Sequence, residues 1–207
     1  MAKLSLEQEQ TRIAAMSQYE DKLWHNGIIH IAGIDEAGRG PLAGPVTAAA
    51  VILPQDCFIA GINDSKKLSA KKRQDLEIII KEKALAWSCV HVNQRIIDKI
   101  NILEASKLAM LKAIDRLSIR PQHLLIDAVQ LATEIPQTAI IHGDALSISI
   151  AAASIIAKNT RDRLMIKLDQ QWPQYGFAGH KGYPTAAHKA ALRQYGYSPI
   201  HRRSFKY

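Results

Sequence analysis

Four acidic side chains follow apolar segments of the sequence and are the first candidates for chemistry. Asp35 and Glu36 follow IIHIAGI, Asp127 ends HLLID, and Asp144 ends TAIIHGD. In α/β sheets, functional sites form where loops from separate strands converge at the strand ends. Carboxylates brought together repel one another, and their pKa values rise unless cations neutralise them. Because Mg²⁺ and Mn²⁺ prefer oxygen ligands, the pattern favours a pair of divalent metal ions, which can cleave a phosphodiester.

Each acid taken alone has a simpler interpretation, since acidic residues are mostly solvated surface groups. The hypothesis of a metal site therefore depends on the joint placement of all four. It also carries a geometric condition, because successive side chains on a strand point to opposite faces. Asp35 and Glu36 can face one site only if the chain bends, and we expect that bend at Ala37 and Gly38.

The elements that must position these acids alternate along the chain. Apolar runs predict strands at 28–35, 45–53, 84–92, 123–129 and 138–144. Helical patterns predict an N-terminal helix to residue 24 and further helices at 69–84, 101–117, 147–172 and 185–195, the last capped by Thr185. Strands interleaved with helices imply an α/β fold with a mixed sheet and helices on both faces.

Composition narrows the class of protein. The 207 residues are 47% hydrophobic and 22% charged, which is typical of a globular chain with a sizeable core. A net charge of +8 and a pI near 9.5 favour a polyanionic partner such as nucleic acid. Cys57 and Cys89 lack metal-ligand spacing, so we expect reduced thiols in a cytoplasmic protein. No apolar run approaches the length that a membrane span or signal peptide requires.

The sequence GRGPLAG, residues 38–44, is called the glycine loop below. Most glycine-rich loops are simple turns, and this one lacks the spacing of a nucleotide-binding P-loop or a dinucleotide fingerprint. Its position after Asp35 and Glu36 favours a second interpretation. Few side chains cover its backbone, so its amides and carbonyls could approach a ligand the size of a sugar hydroxyl.

Seven motifs together closely resemble the bacterial ribonuclease HII family. They are GIDEAGRGPLAGPV, NDSKKLS, LIDA, GDALSISIAAASIIAK, TRDRLM, YGFAGHKGYPTAAH and HRRSF, in the order of the family. The resemblance covers roughly residues 28–205. The resemblance implies a ribonuclease H-like fold, with an N-terminal helical extension (1–27), a catalytic core (28–172) and a C-terminal helical substrate-binding region (173–207). It also implies an endonuclease of ribonucleotide excision repair that cuts the RNA strand of RNA/DNA hybrids. Such an enzyme nicks 5′ to ribonucleotides embedded in duplex DNA and leaves 3′-hydroxyl and 5′-phosphate ends.

The resemblance also assigns roles to residues. By motif match, the catalytic metal ligands for Mn²⁺ or Mg²⁺ are Asp35, Glu36, Asp127 and Asp144. The implied substrate contacts are Gly38, Arg39 and Gly40 at the 2′-hydroxyl, Tyr183 at the neighbouring deoxyribose, and Ser65 and Lys66 at phosphate. A second basic surface is expected in the C-terminal region, from Lys181, Lys189, Arg193, Arg202, Arg203 and Lys206.

The chain departs from the family pattern at three positions. Ala128 and Val129 stand where many members have Gly-Asn, and His142 stands where Lys is frequent. No sliding-clamp peptide is evident after the last motif, and we expect a monomer. Two rivals remain open: a catalytically silent nucleic-acid-binding protein of the same fold, and a metal-dependent nuclease that prefers continuous hybrids or another nucleic acid.

Overall fold

The computed structural model describes residues 5–206 and contains a five-stranded mixed sheet. Its strands are β1 (Ile31–Ala37), β2 (Val46–Ile52), β3 (Ala86–Val92), β4 (His123–Asp127) and β5 (Gln137–Ile140). Their order across the sheet is β3-β2-β1-β4-β5. The pairs β1-β2 and β2-β3 are antiparallel, whereas β4 runs parallel to both β1 and β5. The central strand β1 therefore ends beside the carboxyl end of β4.

Helices surround this sheet. They are α1 (Leu6–Met16), α2 (Gln18–His25), α3 (Ala70–Lys83), α4 (Gln94–Asp115), α5 (Gly143–Leu146), α6 (Ile148–Asp169), α7 (Phe177–His180) and α8 (Ala186–Tyr195). Thr185 caps α8 as predicted, since its hydroxyl accepts a hydrogen bond from the main-chain N–H of His188 (3.2 Å). Within residues 5–206, none of these helices is long and apolar enough to cross a membrane.

Different helices cover the two faces of the sheet. Helix α4 packs against one face, where it contacts Ile34 and Ala50, and α3 and α6 pack against the other face, where they contact Ala49 and Val51. Successive residues of β2 therefore face two separate cores, which explains why this strand is buried along its whole length and is apolar except for Thr47. The predicted mixed sheet with helices on both faces is confirmed.

Three predicted elements differ from the structure: the N-terminal helix, the last strand and the helix predicted at 101–117. The single N-terminal helix is instead two helices separated at Ser17, and residues 1–4 of that prediction lie outside the described residues. The strand predicted at 138–144 ends at Ile140, because His142 adopts a left-handed φ of 59°. Asp144 consequently lies on the short helix α5 and not at the end of a strand.

Helix α4 begins at Gln94, before its predicted start at Asn101. Asn93 caps this earlier start by accepting a hydrogen bond from the N–H of Ile96 (3.1 Å). Asn101 has a φ of 66° and interrupts the helix, and its side chain accepts hydrogen bonds from the N–H groups of Leu103 (2.9 Å) and Glu104 (3.1 Å). Asn101 therefore caps the start of the predicted helix from inside a longer helical segment.

The N-terminal helices are tied to the start of α6 by a buried acid. Glu20 of α2 is 0% exposed, and its carboxyl Oε1 accepts hydrogen bonds from the hydroxyl of Ser147 (2.5 Å) and the N–H of Ser149 (3.0 Å). Burial raises the pKa of Glu20, while these hydrogen bonds oppose the shift. A carboxyl at a helix N-terminus satisfies main-chain donors there, so α2 helps to fix the segment that joins Asp144 to α6.

Close packing of α6 on β1 depends on the absence of a side chain at Gly33. A Cβ atom at this position would lie 2.1 Å from the main-chain carbon of Ser149 and 2.4 Å from the main-chain nitrogen of Ile150. Backbone atoms cannot be displaced as easily as the end of a side chain, so α6 would have to move away from the sheet. Gly33 therefore sets the distance between the strand that carries Asp35 and the helix that covers it.

We predict that Gly33→Ala lowers the free energy of unfolding by about 3 kcal/mol through overpacking. Urea unfolding followed by circular dichroism measures this change. Gly179→Ala is the matched control, because a Cβ at Gly179 meets no atom within 4 Å, and its stability should stay close to that of the wild type. Equal stability of the two variants would contradict the proposed packing constraint.

Candidate active site

The parallel register of β1 and β4 brings two of the predicted acids together. Ile34 pairs with Ile126, so Asp35 and Asp127, the next residues of the two strands, lie side by side where the strands end. Asp35 is 4% exposed, and its Oδ1 accepts a hydrogen bond from the N–H of Glu36 (2.6 Å). Sheet register, more than any loop, therefore places the first carboxylate pair.

A cavity of about 240 Å³ opens at these strand ends. The lining residues are Asp35, Glu36, Ala37, Gly38, Arg39, Gly40, Ser65, Lys66, Asp127, Ser154, Lys158 and Tyr183. Asp144 is the one predicted site residue outside this lining, and it lies next to the cavity, with its Oδ2 3.4 Å from the Nζ of Lys66. The acids, the glycine loop, Tyr183 and the short turn Ser65–Lys67, called the basic turn below, thus converge at one site.

The bend expected at Ala37 and Gly38 falls at Gly38, directly after the strand that carries both acids. Both acids keep regular pairing with β2, which continues as far as Ala37, and the chain turns at Gly38 with a φ of +96°. The two carboxylates nevertheless line one cavity, because that cavity lies beyond the end of the strand and can be reached from both faces. Glu36 is held there by Arg39, whose Nη1 is 3.5 Å from Glu36 Oε1.

The carboxylates destabilise one another's charged forms. Burial raises the pKa of Asp35 well above its usual value, and the charges of Glu36 and Asp127 raise it further, while a hydrogen bond from Ser154 opposes them. Burial also raises the pKa of Glu36, against the lowering effect of the Arg39 guanidinium. The site therefore lacks enough positive charge to keep all its acids ionised without cost.

Asp144 reaches the site through α5. The N–H of Gly143, the first residue of this helix, donates a hydrogen bond to Asp127 Oδ1 (2.8 Å), which links the segment carrying Asp144 to the end of β4. Burial raises the pKa of Asp144, and the nearby Lys66 ammonium opposes that effect. Ala128, next to Asp127, has a φ of 55°, a conformation that costs alanine about 1 kcal/mol and that glycine adopts freely.

The donor set fits a divalent cation in chemistry and in charge. Every predicted ligand is a carboxylate, the donor that Mg²⁺ and Mn²⁺ prefer, and mutual repulsion among the carboxylates favours cation uptake. Within residues 5–206, however, no three side chains of His, Cys, Asp or Glu are arranged around one ion position. Shared ligation therefore requires the acids to rotate from the positions they hold beside Lys66 and Arg39. The four-acid metal site stays a prediction.

The glycine loop and Tyr183 form the opposite wall of the cavity. A Cβ at Gly40 would lie 3.8 Å from Cε1 of Tyr183, so the edge of the ring lies next to the loop at Gly40. Tyr183 is 39% exposed, and the Nζ of Lys158 and the guanidinium carbon of Arg161 lie 5.5 Å and 5.9 Å from its ring centroid. An accessible aromatic face beside bare backbone is suited to a sugar or a base.

The basic turn is held by α6 and α3. Ser65 and Ser154 share a hydrogen bond between their hydroxyls (2.8 Å), and Arg73 donates to the carbonyl oxygens of Ser65 (3.1 Å) and Leu68 (2.6 Å). Ser65 is consequently buried, whereas Lys66 projects into the cavity opening. Within this pair, Lys66 is therefore the residue placed to meet a phosphate.

Sequence reasoning missed three residues of α6 that serve the site. Ser154, Lys158 and Arg161 recur at helical spacing, and their shared face points toward the cavity and the glycine loop. That spacing of polar residues within an Ala- and Ile-rich helix was the available signal. One expectation was wrong: Arg202 is 0% exposed, so it cannot belong to a basic surface that contacts DNA.

Buried histidines support the backbone of Tyr183. The N–H of Ser198 donates to Nδ1 of His201 (2.9 Å), so the proton of neutral His201 is on Nε2. That N–H donates to Nε2 of His188 (3.0 Å), whose Nδ1–H donates to the carbonyl oxygen of Tyr183 (2.9 Å). The chain of donors and acceptors is complete only while both rings are neutral.

The fold and the sequence of this chain both match known proteins. A mixed five-stranded sheet with carboxylates at the ends of adjacent central strands defines a ribonuclease H-like fold. The crystal structure of the ribonuclease H2 from Pyrococcus horikoshii OT3 matches this fold with a TM-score of 0.72 and 30% identity, over 86% of this chain and 94% of that one. The sequence profile of ribonuclease HII matches residues 32–207, and the chain belongs to the ribonuclease HII family.

Two bacterial relatives show the same family over nearly the whole chain. Ribonuclease HII from Moorella thermoacetica is 54% identical over 200 residues, which cover 96% of this chain and 97% of the relative. Ribonuclease HII from Desulfitobacterium hafniense is 57% identical over 198 residues, which cover 95% and 76%. The chain is therefore a ribonuclease H, a hydrolase that acts on phosphodiester bonds, and the resemblance inferred from its motifs is confirmed.

We predict a pH-dependent loss of stability from the histidines. Burial lowers the pKa of His201 to about 4, and the His188 charge adds to the decrease. A base with a depressed pKa contributes full stability above its unfolded pKa of about 6.5, and this contribution is lost as pH falls toward the folded value. Between about pH 7 and about pH 5 the loss amounts to about 2 kcal/mol.

Urea unfolding of the wild type and of His201→Gln across this range checks the prediction. The variant should be less stable near neutral pH. Its free energy of unfolding should depend less on pH, because it lacks the His201 imidazole with its lowered pKa. His25→Gln, a substitution of an exposed histidine on α2, serves as the control and keeps the wild-type slope. A His201→Gln slope equal to that of the wild type would rule out this origin of the acid sensitivity.

Proposed function

We propose that this chain is an endonuclease that hydrolyses the RNA strand of RNA/DNA hybrids and nicks duplex DNA 5′ to an embedded ribonucleotide. The products would carry 3′-hydroxyl and 5′-phosphate ends. One observation carries the proposal: Asp35, Glu36 and Asp127 line the same cavity as the glycine loop and Tyr183. A cleavage centre and a surface able to recognise a sugar therefore share one site.

The proposed cofactor is Mn²⁺ or Mg²⁺, held by Asp35, Glu36, Asp127 and Asp144. When bound, such ions supply an activated water and stabilise negative charge on the phosphate. The protein's own contribution is to keep the acids close together despite their repulsion. Lys66 lies at the cavity opening beside Asp144, where its ammonium group can bind the phosphate of an incoming strand.

Selection of RNA over DNA requires recognition of the 2′-hydroxyl, since this group distinguishes the two sugars. The backbone of Gly38, Arg39 and Gly40 forms the cavity wall and presents no bulky side chain at the glycines. The Tyr183 ring lies next to Gly40, where it can pack against a sugar that lacks the hydroxyl. A ribonucleotide followed by a deoxyribonucleotide matches this pair of surfaces.

The remaining parts of the proposal concern partners and location. The net charge of +8 supports binding to the backbones of hybrids and of ribonucleotide-containing duplexes. We further propose that the enzyme acts as a monomer. Cys57 and Cys89 are free thiols, which supports a reducing compartment such as the cytoplasm.

The geometry disfavours the rival functions. A protein that only binds polyanions gains nothing from acids that raise one another's pKa inside its cavity. A nuclease restricted to continuous hybrids does not require an aromatic surface suited to a deoxyribose next to the glycine loop. Both rivals are distinguished from the proposal by one set of substrates.

We predict metal-dependent nicking of a duplex that carries one ribonucleotide. With Mg²⁺ or Mn²⁺ the cut falls on the 5′ side of that residue, and EDTA abolishes it. A denaturing gel with end-labelled strands locates the cut and identifies both ends. An all-DNA duplex and a continuous hybrid are the controls. Binding without cleavage on every substrate would support the silent binder, and cleavage of the continuous hybrid alone would support the other nuclease.

Asp127→Asn tests the cleavage centre within the same assay. The variant should cut at least about 100-fold more slowly, because several kcal/mol of charge stabilisation are lost, while binding stays close to wild type. Its amide oxygen can still accept the hydrogen bond from Gly143, so the fold is retained. Asp115→Asn, an exposed acid at the end of α4, is the control with unchanged activity.

A further inference from the structure

Two arginine side chains are completely buried next to the glycine loop. Arg161 on α6 and Arg202 after α8 are both 0% exposed. Burial of a guanidinium is costly unless all its donors find acceptors. Burial and the charge of Arg161 lower the pKa of Arg202 to about 9, so the group is still charged at neutral pH.

Arg202 donates to main-chain carbonyl oxygens of the glycine loop rather than to carboxylates. Its Nη2 and Nη1 donate to the carbonyls of Gly38 (2.6 Å) and Arg39 (2.8 Å), and its Nε donates to the carbonyl of Gly44 (2.9 Å). A planar fork of donors can hold several carbonyls in fixed directions, which a lysine ammonium cannot do. One side chain therefore fixes both ends of the loop.

Arg161 connects the loop to the segment that carries Tyr183. Its Nη2 and Nε donate to the carbonyl oxygens of Ala43 (3.1 Å) and Pro45 (2.9 Å). Its Nη1 donates to the carbonyl oxygen of Lys181 (3.0 Å). The N–H of Leu42 also donates to the carbonyl of Gly182 (2.8 Å). The two walls that would recognise the sugar are thus parts of one hydrogen-bonded unit.

The direction of the carbonyls determines the direction of the amides. In a planar trans peptide the C=O of one residue and the N–H of the next point in opposite directions, and residues 5–206 contain no cis peptide. The carbonyls of Gly38 and Arg39 point toward buried Arg202. The N–H groups of Arg39 and Gly40 must then point away from Arg202. Both residues also line the cavity.

We infer that Arg202 is a positioning residue for recognition of the ribonucleotide, because it turns two successive amide N–H groups toward the substrate cavity. Adjacent amides aimed at one point form a site for an oxygen acceptor, and the 2′-hydroxyl is the acceptor that only a ribonucleotide provides. Arg161 holds the Tyr183 segment against this site. The inference rests on the proposed function, since it assigns a role within that same cavity.

The wild-type protein allows a direct test by NMR. EDTA is present so that a duplex with one ribonucleotide can bind without being cut. Addition of this duplex to ¹⁵N-labelled protein should shift the amide signals of Arg39 and Gly40. An all-DNA duplex of the same sequence should leave those two signals near their free positions. Equal responses to the two duplexes, or none, would overturn the inference, and no variant has to fold for this result.

Arg202→Lys tests the role of the guanidinium fork at constant charge. We expect kcat/KM on the ribonucleotide duplex to fall on the order of tenfold, as expected for lost hydrogen bonds, while the Kd for the all-DNA duplex stays unchanged. The difference between the duplexes in the NMR experiment should also disappear. Arg120→Lys, a change to an exposed arginine remote from the loop, is the control for the substitution itself.

The outcomes separate this inference from the proposed function. A wild-type protein that fails to nick the ribonucleotide duplex refutes the function. If the wild type nicks the duplex, and if Arg202→Lys unfolds cooperatively and has the same kcat/KM as the wild type, only the role of Arg202 is refuted. A merely structural role would lower thermal stability and weaken binding to both duplexes equally, and that result would also contradict the inference.

Discussion

Repulsion among carboxylates at the ends of two adjacent parallel strands is the constraint on which the rest of this structure depends. The register of β1 and β4 places Asp35 beside Asp127, and burial adds to the cost of their charges. Such an arrangement lowers stability unless cations are recruited, so it is expected where function requires it. Lys66 and Arg39 offset part of the charge through contacts of 3.4 Å and 3.5 Å. The remaining negative charge gives a chemical reason for the divalent metal proposed for this member of the ribonuclease HII family.

The surrounding elements hold this strained centre in place. Gly33 lets α6 lie against β1, and Glu20 satisfies donors at the start of that helix. Farther along, α6 supplies Arg161, which together with Arg202 fixes the glycine loop from the protein interior. The acids, the loop and Tyr183 therefore share one rigid support. Rigid support matters because a small displacement of reacting groups costs catalysis disproportionately.

Local patterns in the sequence predicted the sheet, its helical covering and the acids at the strand ends, since apolar runs and caps such as Thr185 are local signals. The short helix carrying Asp144 was not predictable, because a left-handed residue at His142 replaces the last part of the expected strand. The burial of Arg202 was not predictable either. An arginine in a basic tail is typical of a solvated surface, and its burial depends on carbonyls from a loop distant in sequence.

We expect the four carboxylates to lower the stability of the folded protein on their own and divalent ions to restore it. Thermal unfolding of the wild type and Asp35→Asn, each in EDTA and in millimolar Mn²⁺, tests it most directly, with Asp115→Asn as the control. Asp35→Asn should unfold in EDTA at the wild-type temperature or above it, by about 2 to 4 °C for each kcal/mol of repulsion removed. Mn²⁺ should then raise the unfolding temperature of the wild type and of the control but not of Asp35→Asn. A less stable Asp35→Asn in EDTA, with an undiminished response to Mn²⁺, would contradict it.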